Sequence, residues 1–98
     1  MTIIKRQDGT NLEIALEGRL DTMTAPELEK ELNACLDAAD TLTLNLADLA
    51  YISSAGLRVL LSAHKAMSRK GGMKVVNVNE IVKEVFDVTG FADILIIE

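Results

Sequence analysis

Residues 44–61 read LNLADLAYISSAGLRVLL, and this stretch decides the fold. The alternation that leads into it, from Thr41 to Leu46, places every leucine on one side, which is the period of a half-buried strand. Further along, apolar residues recur three and four positions apart, as they do in a helix with one buried side. The stretch therefore predicts a strand that leads through a loop, residues 47–53, into a helix that starts near the two serines.

Toward the N-terminus, the sequence predicts a β-hairpin. Residues 12–17 alternate between apolar and other side chains, and residues 2–6 form the partner strand. Asp8, Gly9 and Asn11 lie between them and are residue types that favour turns. We therefore expect the first two strands to be antiparallel.

A first helix is predicted after the hairpin. Thr24 and Glu27 have capping-box spacing, and Pro26 lies in the first turn, where a missing N–H is tolerated. The apolar residues that follow at helical spacing are Leu28, Leu32, Cys35, Leu36 and Ala39.

The second half of the chain continues the alternation of helices and strands. The second helix ends at Gly71-Gly72, and residues 74–78 form a strand. Asn79 caps a third helix, which stops at Gly90 before a last strand at residues 93–97. The apolar side of the second helix comprises Leu57, Leu60, Leu61, His64 and Met67. This order predicts an α/β fold in one domain, residues 1–98, with a mixed sheet, an N-terminal hairpin and helices packed on the sheet.

Composition excludes several classes of function. The net charge of −5 and the few aromatic residues argue against direct nucleic-acid binding. Cys35 is the only cysteine and His64 the only histidine, so we expect no metal site. The sequence contains neither a catalytic triad nor a phosphate-cradling glycine loop, so we expect no catalytic residues and no cofactor. His64 is expected to be packed. Neither a secretory segment nor a membrane span is predicted, which indicates a cytoplasmic protein.

Ser53 and Ser54 carry the strongest functional signal. Either hydroxyl could cap the second helix, a contribution of about 1 kcal/mol, and this is what serine most often does before a helix. The same position suits a phosphate, because the N-terminus of a helix attracts negative charge. Arg58 lies one turn after Ser54, within reach of such a phosphate, or is a solvated surface residue. Gly56 either lets a partner's backbone approach or serves packing.

These residues resemble the signature of a known family. The run Tyr51-Ile52-Ser53-Ser54-Ala55-Gly56-Leu57, preceded by Asn45-Leu46 and Asp48-Leu49, is similar to that of STAS domains, above all stand-alone bacterial anti-sigma-factor antagonists. Gly18-Arg19-Leu20-Asp21 and Thr89-Gly90-Phe91 agree with the same family in order along the chain.

The resemblance implies a phosphorylation switch at Ser54, with Ser53 as the less favoured acceptor. In that family the unmodified form binds an anti-sigma factor that is also a serine kinase, which releases a sigma factor. Phosphorylation blocks this binding, and a serine phosphatase restores it. Ser53 stands where the antagonists usually carry aspartate. Two alternatives remain, namely an unmodified STAS scaffold in a signalling complex and a domain that senses a small ligand or nucleotide.

A docking surface is expected around this serine, on a chain that is a monomer or a weak dimer. Asp21 and Asp48 would form an acidic rim, or each would be a turn residue that bonds its own backbone. The predicted partner-binding residues are Asp21, Thr22, Met23, Thr24, Asp48, Ser53, Ser54, Ala55, Gly56 and Arg58.

Overall fold

The computed structural model describes residues 1–98, and its chain begins with the predicted hairpin. β1 (Thr2–Asp8) pairs antiparallel with β2 (Asn11–Leu20), and Gly9 forms the turn with a φ of +64°. Leu12, Ile14 and Leu16 are buried on one face of β2, as the alternation predicts. β2 continues to Leu20, beyond the predicted end at residue 17.

Helices and strands then alternate to the end of the chain. They are α1 (Ala25–Cys35), β3 (Thr41–Ile52), α2 (Ser54–Met67), β4 (Met73–Val76), α3 (Glu80–Thr89) and β5 (Ile96–Ile97), with 3-10 turns at Leu36–Ala38 and Phe91–Asp93. The sheet order is β1-β2-β3-β4-β5, and every pair after the hairpin is parallel. The predicted α/β fold with a mixed sheet is confirmed. No helix is long and apolar enough to cross a lipid bilayer.

One face of the sheet supplies the core. Leu12, Leu42 and Met73 are neighbours across three strands, and all of them are buried. Twenty-four buried apolar residues, among them the fully buried Phe86 of α3, form one continuous cluster. The residues that alternate with them in β2 and β3 are only half-buried, so the helices cover one face of the sheet.

The predicted loop at residues 47–53 is wrong, because β3 continues to Ile52. The pairing with β2 shifts register twice, between Ala15 and Glu17 and between Gly18 and Arg19. Each β-bulge adds a residue to β3, so burial there recurs at every third residue, at Leu46, Leu49 and Ile52. Bulges interrupt the alternation by which a strand is recognised in a sequence.

The helix starts differ in how well the sequence predicts them. Asn79 caps α3 by accepting a hydrogen bond from Val82 N–H at 2.9 Å, and Gly90 ends it at a φ of +81°, as predicted. The capping box at Thr24 and Glu27 is wrong, because Thr24 has helical backbone angles and its side chain caps nothing in α1.

The C-terminal strands are shorter than predicted. Asn77 adopts a left-handed conformation with a φ of +57°, which ends β4 at Val76. The 3-10 turn at Phe91–Asp93 delays β5 until Ile96. In α2 the buried side is broader than predicted and includes Val59 and Ala63, because α1 packs beside it.

Candidate phosphorylation and docking site

The carboxyl ends of β2 and β3 bring two segments of the chain together. Leu20 pairs with Ile52, and Ser53 N–H donates to Leu20 O at 2.9 Å. The segment from Asp21 to Thr24, which follows β2, therefore lies beside the start of α2. This edge holds most of the residues that the sequence singles out.

Ser53 is the N-cap of α2. Its backbone is extended, with φ −99° and ψ 175°, and its Oγ accepts a hydrogen bond from Gly56 N–H at 3.3 Å. The side chain is half-buried. Its hydroxyl is therefore already used in holding the helix start.

Ser54 is the first residue of α2, and its side chain is exposed without a hydrogen-bond partner. The first intrahelical bond runs from Leu57 N–H to Ser53 O at 2.9 Å. The amide groups of Ser54 and Ala55 precede that bond, so they belong to the free donors of a helix N-terminus. An anion on Ser54 Oγ would lie close to these donors and to the positive end of the helix dipole.

Arg58 follows Ser54 by one helical turn. Its side chain is exposed and forms neither an ion pair nor a hydrogen bond. Residues four apart on a helix lie on the same side, so its guanidinium is free to reach a group attached to Ser54.

Asp21 shapes the neighbouring loop. Its Oδ1 accepts hydrogen bonds from Met23 N–H at 3.0 Å and from Thr24 N–H at 3.1 Å. Partial burial favours a higher pKa for this carboxyl, but the hydrogen bonds from Thr24 and Met23 and the nearby Arg19 guanidinium outweigh it and lower the pKa below its ordinary value. Asp21 is therefore a turn residue that bonds its own backbone, one of the two roles expected for it.

Thr22 and Met23 project from this loop, and the Met23 side chain is 86% exposed. A shallow groove runs from the loop between the first turns of α1 and α2. The residues that line it are Thr22, Ala25, Pro26, Glu29, Ala55, Arg58, Val59 and Ser62. An exposed methionine beside an open groove is a feature typical of adaptable contact surfaces.

Asp48 differs from its expected position, and Gly56 is restricted to one of its two expected roles. Asp48 is in β3 rather than in a loop, and it pairs with Glu17, four residues before Ile52 and the edge that carries Ser54. The acidic rim of Asp21 and Asp48 is therefore not formed. Gly56 is buried, and a Cβ there would come within 2.7 Å of Leu20 Cγ, so its role is packing.

The sequence did not indicate one contact at this edge. The Arg19 guanidinium lies 4.3 Å from the centre of the Tyr51 ring, and Arg19 Nε is 3.6 Å from Asp21 Oδ2. Arg19 and Tyr51 are paired residues of β2 and β3, beyond the predicted ends of both strands. Their adjacency follows from the bulged register, which the sequence pattern does not show.

The fold and the site define a class of protein, a small α/β domain that presents an unengaged serine at a helix start. The model of the STAS domain matches residues 2–98, so the chain belongs to the STAS family. The anti-sigma-B factor antagonist of Bacillus subtilis is 30% identical over 91 residues, which cover 92% of this chain and 84% of the relative.

Solved structures have the same fold. An anti-sigma factor antagonist from Mycobacterium paratuberculosis matches with a TM-score of 0.88 at 22% identity, covering 98% of this chain and 83% of that one. The unphosphorylated anti-sigma factor antagonist SpoIIAA matches with a TM-score of 0.84 at 18% identity, covering 99% and 88%.

Proposed function

We propose that this protein is an anti-sigma-factor antagonist whose binding is switched off by phosphorylation of Ser54. The observation that carries the proposal is the exposed, unbonded Ser54 hydroxyl at the first position of α2, next to the N-cap Ser53. The family and the antagonist relatives support the same role. The activity proposed is binding in the cytoplasm rather than catalysis.

The different contacts of the two serine hydroxyls support Ser54 as the phosphate acceptor. Ser53 Oγ holds the helix start, so modifying it would displace that cap. Ser54 can be modified without the loss of any hydrogen bond. The partner kinase would transfer the γ-phosphoryl group of ATP to Ser54 Oγ, with the hydroxyl proton passing to a base of the kinase and ADP leaving.

The switch follows from the charge that this transfer adds. A phosphoserine carries roughly −1.5 to −2 charges at neutral pH. Within a protein interface such a group must be desolvated or must face the partner's own charges, and each 1.4 kcal/mol lost weakens binding about tenfold. A serine phosphatase would reverse the change.

Site mapping tests the proposal directly. The chain is incubated with Mg-ATP and the anti-sigma-factor kinase of the source organism, and the product is mapped by peptide mass spectrometry. We expect phosphate on Ser54, its loss in Ser54→Ala, and its retention in the matched control Ser53→Ala. Absence of phosphate from Ser54 in the wild-type chain would contradict the proposal.

A further inference from the structure

Charge is distributed very unevenly along this acidic chain. Residues 49–79 contain none of the fifteen Asp and Glu residues and five of the ten Lys and Arg residues, so this stretch is formally +5 and the rest −10. α2 lies within this stretch and has no acidic side chain. A basic element on an otherwise acidic molecule is a local feature that a partner can recognise.

Four of the five exposed residues of α2 form one stripe. Ser54, Arg58, Ser62 and Lys65 are all exposed, and their spacing places them on the same side of the helix. With a rise of 1.5 Å per residue, the stripe is about 16 Å long. We call these four residues the α2 stripe; Arg69, also exposed, follows just beyond the helix end.

The cations of the α2 stripe have no partner within the protein. Lys5, Arg19 and Lys74 form ion pairs with carboxylates, and Lys70 binds backbone carbonyls. Arg58 and Lys65 form no such contact, and neither does Arg69. Their charges are therefore available to carboxylates from outside the chain.

The groove between α1 and α2 adjoins the α2 stripe. Arg58 and Ser62 belong to both, Ala25, Pro26 and Val59 give the groove an apolar part, and Glu29 lines it on the α1 side, away from the α2 stripe. A surface with an apolar strip beside a basic stripe is complementary to an amphipathic helix whose polar side is acidic.

We propose that the α2 stripe and the adjoining groove bind an acidic amphipathic helix of the partner protein. This inference rests on the proposed function and specifies the chemistry of its partner. A nucleic acid fits less well, because the remainder of the molecule carries −10 and no aromatic side chain lies on the stripe for base stacking.

Phosphorylation would then act on the α2 stripe itself. A phosphate on Ser54 adds roughly −1.5 to −2 charges, which cancels the two cations of the stripe. It would also pair with Arg58 across one helical turn and withdraw that guanidinium from the partner. The switch thus removes an attraction as well as adding a repulsion.

The test compares two double variants of the full chain in titrations with the anti-sigma-factor kinase. The stripe variant carries Lys65→Glu and Arg69→Glu, and the control carries Lys30→Glu and Lys83→Glu, which are exposed cations of α1 and α3. Both variants change the net charge equally. We expect the stripe variant to bind about tenfold or more weakly and with a smaller dependence on salt, while the control binds within about twofold of wild type.

The possible results distinguish a failure of this inference from a failure of the proposed function. Equal losses in the two double variants would overturn the inference and leave the proposed function intact, whereas a wild-type chain that does not bind the kinase would overturn the proposed function. If the wild-type chain binds a short DNA duplex and the stripe variant does not, the proposal that the α2 stripe binds a protein helix is overturned. Reversing two charges can impair folding, so the neutral double variant Lys65→Gln and Arg69→Gln is measured in parallel. We expect its loss of affinity to lie between those of wild type and the stripe variant.

Discussion

At the residue scale, the two adjacent serines differ in what their hydroxyls contact. Ser53 Oγ accepts a hydrogen bond from Gly56 N–H, whereas the exposed Ser54 side chain forms no hydrogen bond within the protein. Ser53→Ala should therefore lower the free energy of unfolding by about 1 kcal/mol, the usual value of an N-cap. Ser54→Ala, the matched control, should change it by less than about 0.5 kcal/mol. Urea denaturation measures both, and a larger loss in Ser54→Ala would contradict this assignment.

Gly56 offers a second test of local packing. A Cβ at this position would lie 2.7 Å from Leu20 Cγ and 3.0 Å from Ile52 Cγ1. Helix propensity alone would make Gly56→Ala stabilising by about 1 kcal/mol, whereas overpacking costs about 1–3 kcal/mol. We expect overpacking to dominate and the melting temperature to fall, with Ser62→Ala as the exposed control in the same helix. A Gly56→Ala protein more stable than wild type would contradict the packing role.

Asp21 should give stability a dependence on acid pH. The pKa of this carboxyl is lowered in the folded protein, so its stabilising effect is present above the pKa of the unfolded chain, about 3.9. The effect is lost as the pH falls through the lower pKa of the folded state. Asp21→Asn keeps an oxygen acceptor but does not titrate, so its stability should decline less steeply below about pH 4. Parallel acid denaturation curves for the two proteins would count against this assignment.

At the scale of elements, β3 shows why a sequence pattern can fail to predict where a strand ends. Its first half alternates strictly, and the sequence predicts it correctly from Thr41 to Leu46. Its second half contains two register shifts, so the period of two disappears although the strand continues to Ile52. Helix ends determined by one side chain, such as the Asn79 cap, are predictable because the signal is local. The start of α1 depends on Asp21, three residues before the predicted cap, which a capping-box pattern does not reveal.

Lys70 connects two elements in a way that only the structure shows. Its Nζ donates to Leu36 O at 2.7 Å, to Ala39 O at 3.0 Å and to Asp37 O at 3.2 Å. These carbonyls end the turn after α1, where a cation is favoured. Lys70→Met should lower the free energy of unfolding by about 1–2 kcal/mol, while Lys65→Met, which breaks no contact, should change it by less than about 0.5 kcal/mol. Equal effects in chemical denaturation would contradict the role of Lys70.

At the scale of the whole molecule, the sequence predicts the order of elements and the location of the candidate serine, but not the neighbourhood of that serine. Alternation and helical spacing are local signals, and both held for most of the chain. The approach of the Asp21 loop to Ser54 depends on the pairing of Leu20 with Ile52, which lies beyond the predicted end of each strand. Asp48 is close to Ser54 in sequence, but it pairs with Glu17 inside the sheet and does not lie at the edge that carries Ser54.

The net charge of the chain does not show which cations are free to bind a partner. The value of −5 conceals a basic stretch at residues 49–79, and the sequence shows that stretch but not which cations are already paired. Lys70 and Lys74 bind within the protein, whereas Arg58 and Lys65 do not. Pairing is a property of tertiary structure, so the free cations of the α2 stripe become visible only there.

One titration shows whether a phosphate on Ser54 controls binding at this edge of the molecule. The unmodified chain and the chain phosphorylated on Ser54 are each titrated calorimetrically with the anti-sigma-factor kinase under identical salt conditions. We expect tight binding by the unmodified chain and a loss of about 100-fold or more on phosphorylation, since about 3 kcal/mol of desolvation and repulsion suffices for that change. Equal affinities of the two forms would contradict it.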